Sequence, residues 1–76
     1  GNIYYIYRFA KDIDGAPIDI LADAICESNS ANVAEFILAF AQIENAPIDE
    51  LAKAISKTDA ADYIYSFIIN IKNIRK

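Results

Sequence analysis

Apolar residues recur along this chain at intervals of three and four. Ile6, Phe9, Ala10 and Ile13 fall at i, i+3, i+4 and i+7, and Ile18, Leu21, Ala22 and Ile25 repeat that spacing, as do Ile48, Leu51, Ala52 and Ile55. Phe36, Ile37 and Phe40 continue the pattern, and so do Tyr63, Ile64, Phe67 and Ile71. Such a period gathers each set on one face of an α-helix. It predicts helices over 2–13, 17–28, 32–43, 47–57 and 61–74. Two stretches, Ile3 to Tyr7 and Tyr63 to Ile71, have the β-branched and aromatic content of strands. Periodicity decides against that, because the spacing of three and four governs every copy, and the middle copy, Val33 to Gln42, contains three alanines.

The pattern is also an internal repeat. Ala16-Pro17-Ile18-Asp19 returns as Ala46-Pro47-Ile48-Asp49, and the match runs on through Leu21 with Leu51, Ala22 with Ala52, Ala24 with Ala54 and Ile25 with Ile55. This is block A. Block B occurs three times, beginning at Tyr5-Ile6-Tyr7-Arg8-Phe9-Ala10, Phe36-Ile37-Leu38-Ala39-Phe40-Ala41 and Tyr63-Ile64-Tyr65-Ser66-Phe67-Ile68. The chain thus reads B, A, B, A, B. Pro17 and Pro47 suit the start of a helix, where a missing N–H costs nothing, and Asp19 and Asp49 bring a carboxylate to the positive end of each A helix. Ser28 to Asn32 and Thr58 to Asp62 supply polar turns and N-cap candidates. Short connections make consecutive helices pack antiparallel. The expected fold is all-α: five antiparallel helices forming a short right-handed α-solenoid of about two and a half helical-hairpin repeats, in one domain over 1–76.

The repeat resembles the α-helical hairpin class, similar in plan to HEAT-like solenoids but with a shorter unit. The run Tyr5-Ile6-Tyr7-Arg8-Phe9-Ala10-Lys11-Asp12, followed by Gly15-Ala16 and by Ile18, Leu21, Ala24 and Ile25, resembles repeats of uncharacterised bacterial and phage proteins. The resemblance covers nearly the whole chain, and its motif describes packing. The signature Trp and Leu-Gly pair of the tetratricopeptide repeat are absent. What the resemblance implies is a stacked scaffold that binds other macromolecules, with no catalytic residues.

Composition narrows the picture. With 76 residues the chain is near the size at which one core only just offsets chain entropy, and 55 % apolar residues with two Gly and two Pro suit a packed globule. Seven Lys and Arg against eleven Asp and Glu leave a net charge of -4, which disfavours nucleic acid. Lys72, Arg75 and Lys76 gather at the C-terminus, too few for a phosphate-binding patch. Cys26 stands alone, so no internal disulfide forms, and a reducing, cytoplasmic setting fits best. The N-terminus lacks the pattern of a secretion signal, and Gly1 suits a scar of tag removal. The apolar stretch from Ala60 to Ile74 is interrupted by Asp62, Asn70 and Lys72 and falls short of the ~20 residues that span a bilayer, which predicts a core helix and no membrane partner.

Candidate chemistry is sparse. There is no His, no Gly-rich phosphate loop and no nucleophile beside a recognisable base, so neither catalysis nor a cofactor is expected. Carboxylate pairs such as Asp12 with Asp14 and Asp49 with Glu50 lie at helix boundaries, where acid is expected. Recurrence of Tyr5, Phe36 and Tyr63, and of Phe9, Phe40 and Phe67, reads as packing. Tyr4, Tyr7 and Tyr65, with Arg8, are less regular and are candidates for partner contact or for a core rim with hydroxyls in water. Asp19, Asp23 and Glu27 share one face of the first A helix and would attract a basic partner or a hard cation. The competing expectation is a ladder across the repeat, Asp23 to Lys53 and Glu27 to Lys57. Cys26, matched by Ser56, asks only for a small residue, and its acidic neighbourhood disfavours the thiolate.

The functional expectation is a protein-interaction or scaffolding module that binds a protein partner or self-associates through its apolar terminal helices. The alternatives are a small acidic inhibitor, of immunity or antitoxin type, directed at a basic protein, and a spacer within a larger protein.

Overall fold

Each A helix begins the same way. In the computed structural model, which describes residues 2–28 and 31–74 and the side chains of 3–28 and 31–71, Pro17 and Pro47 stand just ahead of the helix at φ -75° and -77°. Their carbonyls accept the first helical bonds, from the Leu21 N–H at 3.0 Å and the Leu51 N–H at 3.1 Å. A residue with no N–H loses nothing there. Ahead of each proline the chain makes one tight turn. The Ala16 N–H bonds the Ile13 carbonyl at 3.2 Å, and the Ala46 N–H bonds the Ile43 carbonyl at 3.1 Å. The third residue of each turn has positive φ, Gly15 at 78° and Asn45 at 69°, a region that Gly and Asn enter most readily.

Five helices result: α1 Asn2–Asp12, α2 Ile18–Cys26, α3 Val33–Phe40, α4 Ile48–Ser56 and α5 Ala61–Ile74. No strand occurs among the described residues, and the strand-like stretches lie in α1 and α5. Some ends fall short of the sequence expectation. α2 stops at Cys26 rather than 28, and α3 at Phe40 rather than 43. After Phe40 the bonding tightens to i→i+3, from Gln42 N–H to Ala39 and from Ile43 N–H to Phe40, which carries the chain into the Ile43 turn. Gly1, Asn29, Ser30, Arg75 and Lys76, and the Lys72 side chain, lie outside the described residues. The tag-scar reading and the C-terminal basic cluster therefore fall there.

Contacts run between neighbours only. α1 meets α2 and α3, α2 meets α3 and α4, and α5 meets α3 and α4, whereas α1 meets neither α4 nor α5. α3 thus touches both other B helices and the two A helices touch each other, in a body of 31 × 29 × 15 Å. Its radius of gyration, 11.4 Å, is about that of a compact globule of this length. Phe9, Ile13 and Tyr63 of the predicted faces are exposed, whereas Ala10, Ala22, Ile25, Ile37, Phe40, Leu51, Ile55 and Phe67 are buried, together with Ile3, Ala34 and Ala41. No side chain among the buried ones is polar.

Candidate functional site

The residues singled out in the sequence fall into three places. Tyr4 and Tyr7 of α1 pack on Phe36 of α3, with ring centroids 6.3 and 5.9 Å apart. Arg8 lies over the Tyr4 ring at 5.8 Å, donates to the Tyr4 hydroxyl at 2.8 Å, and forms an ion pair with Asp12 at 2.8 Å. Lys11 lies over Tyr7 at 5.9 Å. These tyrosines thus make the seam between α1 and α3. Tyr65 is 67 % exposed on α5, with which α1 makes no contact.

Asp19, Asp23 and Glu27 share the surface of α2, but the expected ladder does not form. Neither Asp23–Lys53 nor Glu27–Lys57 is an ion pair within 4.0 Å. Asp23 instead lies close to Glu50 of α4, and a proton shared between the two carboxyls, with slight desolvation and the nearby charges of Asp23, Asp19 and Glu27, raises the Glu50 carboxyl above its ordinary value. The cause is geometric. Asp23 meets the position three residues before Lys53. In the sequence Glu50 stands out only as the neighbour of Asp49 at a helix boundary, and its match in the repeat is the apolar Ile20, so nothing there ties it to Asp23.

Cys26 belongs to this neighbourhood. Burial, then the charges of Glu50, Asp23 and Glu27, push its thiol up to about 11, so it remains neutral near pH 7. An open groove of about 530 Å³ runs beside it, lined by Glu27, Glu50, Lys53 and Lys57 and floored by Ile37. Its rim mixes both charges. No three His, Cys, Asp or Glu among the described residues converge as metal ligands.

The third place is the pair of ends, where matching positions differ most in exposure. Phe40 and Phe67 are buried, yet their counterpart Phe9 is 46 % exposed. Tyr5 is 71 % exposed where Phe36 is half-buried, and Ile20 is 67 % exposed where Glu50 meets Asp23. Tyr5, Phe9, Ile13 and Ile20 therefore make an apolar surface on the side of α1 and α2 that no described helix covers. At the other end the inequality is reversed. Ala10 and Ala41 are buried while Ile68 is 49 % exposed, and Tyr7 and Leu38 are half-buried while Tyr65 is exposed. Ile69 lies beside them, also exposed. Recurrence of Tyr5 and Phe9 in every copy reads as packing, which the buried Phe40 and Phe67 fit and the exposed Tyr5, Phe9 and Tyr63 do not. No family model, curated protein or solved structure matches this chain. The class it defines is a small all-helical globule of five helices. No helix among the described residues is long and apolar enough to cross a membrane.

Proposed function

We propose that the protein is a non-catalytic interaction or scaffolding module, a short α-solenoid of about two and a half antiparallel helical hairpins whose two unlike ends are its contact surfaces. The observation that carries this reading is the exposure of Tyr5, Phe9 and Ile20 at one end and of Tyr65 and Ile68 at the other. Of their counterparts, Phe40, Phe67, Ala10 and Ala41 are buried, Phe36, Glu50, Tyr7 and Leu38 are half-buried, and Tyr63 is exposed. Contacts limited to the next and next-but-one helix support the solenoid, since stacked repeats touch only their neighbours. Large apolar residues grouped on one face mark sites of association.

The acidic patch favours a second reading, an inhibitor of a basic protein. Asp19, Asp23, Glu27 and Glu50 meet across two helices, so the negative charge is focused rather than dispersed.

One experiment tests both. A photo-crosslinking phenylalanine analogue is placed at Tyr5, Tyr65, Asp19 or, as a control on an exposed turn, Asp59 in the cells that produce the protein. The module reading expects protein adducts at positions 5 and 65 and none at 59. Adducts confined to position 19 would transfer the reading to the acidic inhibitor, and a protein without adducts at either end is not a module of this kind.

A further inference from the structure

This inference rests on the ends being contact surfaces, and names what covers them. We infer that the partner of each end is the opposite end of a second copy, so that molecules join head to tail.

The chain itself displays the complementary surface. In the seam between α1 and α3, Phe36 packs on Tyr4 and Tyr7. The next seam joins α3 to α5, with Tyr63 and Phe67 at the positions of Phe36 and Phe40. α3 lies against α1 and α5 against α3, so the pairing of successive B helices recurs within one molecule. The side left uncovered on α1, bearing Tyr5 and Phe9, is the side on which α3 and α5 bury Phe40 and Phe67, with Phe36 half-buried and Tyr63 39 % exposed. The side left uncovered on α5, bearing Tyr65 and Ile68, is the side that α1 and α3 bury. Each exposed end therefore matches the half of a seam that the other end lacks. Docking them continues the series of B helices, with Tyr5 of one copy against Tyr65 and Asp62 of the next, the positions held by Phe36 against Tyr7 and Tyr4.

Two like ends offer no such match, because neither seam joins like sides. A contact between unlike faces is heterologous and, unless it closes into a ring, adds copies without limit. It is also weak. The docking joins one B helix of each copy, α5 to α1. One helix against one helix is a small contact, so association is expected at high protein concentration only.

The test uses Tyr5→Glu and Tyr65→Glu, both at well-exposed positions, with helicity checked by circular dichroism. In sedimentation equilibrium the unmodified protein should gain weight-average mass beyond a dimer as its concentration rises to about 1 mM. Each variant alone should stay monomeric, since every head-to-tail contact needs one end of each kind. A mixture of the two should form a dimer and stop there, its one intact contact joining Tyr5 of the Tyr65→Glu chain to Tyr65 of the Tyr5→Glu chain. The uncharged pair Phe9→Ser and Ile68→Ser should repeat that behaviour. A Tyr65→Glu protein that associates like the parent, a mixture that stays monomeric, or a parent that is monomeric throughout would each overturn the inference. None of these touches the broader reading, which stands or falls on adducts to any protein at positions 5 and 65.

Discussion

Phe9 and Phe40 hold the same place in their helices and opposite places in the molecule, one half exposed and the other wholly covered. Truncation separates them. Phe40→Ala removes a buried ring with no room to collapse and should cost about 3–5 kcal/mol, whereas Phe9→Ala should cost under about 1 kcal/mol. Urea unfolding at low micromolar concentration measures both. Equal losses would mean that Phe9 is buried in solution.

Glu50 and Asp23 make a like-charged pair, so removing one charge should stabilise the fold. The sign follows from the raised Glu50 value. The folded state holds that proton more tightly than the unfolded chain, so the pair's relative stability is present below the ordinary Glu range and is lost as pH rises through the folded value. Glu50→Gln should therefore raise stability near pH 7 and have little effect near pH 3.5. For exposed charges the gain is a fraction of ~1 kcal/mol, reduced further by salt. Thermal melts of both proteins at the two pH values and at low and high salt give the comparison.

Cys26 should be slow to alkylate in the folded protein. A thiol raised from 9.0 to about 11 has about 100-fold less thiolate near pH 8 than an ordinary one. Iodoacetamide labelling should therefore be slower in buffer than in denaturing urea, the loss of thiolate being offset only in part by the greater nucleophilicity of a thiolate of higher pKa. Equal rates would show the thiol to be open and unperturbed.

Gly15 and Asn45 fill the same turn position with positive φ. A Cβ on Gly15 would meet nothing within 4 Å, so Gly15→Ala isolates the backbone cost. It should lose about 1 kcal/mol, or about 4–8 °C in Tm, and Asn45→Ala should lose a similar amount. Asn45→Gly should be near neutral. Thermal melts of the three variants check the order.

Much of this was legible in the residues, because helical period and turn chemistry are local. Ala-Pro-Ile-Asp marks both A helices, and the spacing of Ile48, Leu51, Ala52 and Ile55 marks the buried side of α4. Two things were not legible. The exposure of Phe9 depends on whether a helix lies in front of it, which its own sequence neighbourhood does not encode. The meeting of Glu50 with Asp23 depends on how two helices turn toward one another, and aligning matched positions pointed to Lys53 instead. Asn45 in the place of Gly15 was a local signal for the shared turn, readable from the match of Ile13-Asp14-Gly15 with Ile43-Glu44-Asn45.

The central claim is that the hairpin is a unit that stacks. Duplicating residues 16–45 and inserting the copy after Asn45 tests it directly, because every new helix contact then repeats a type already present between α1, α3 and α5 or between α2 and α4. Stability in such arrays grows with each added unit and its interfaces. Thermal and urea unfolding of the lengthened chain, followed by circular dichroism, should show one cooperative transition at a higher Tm than the parent, with undiminished helicity per residue. A lower Tm, or a loss of helicity per residue, would contradict the account.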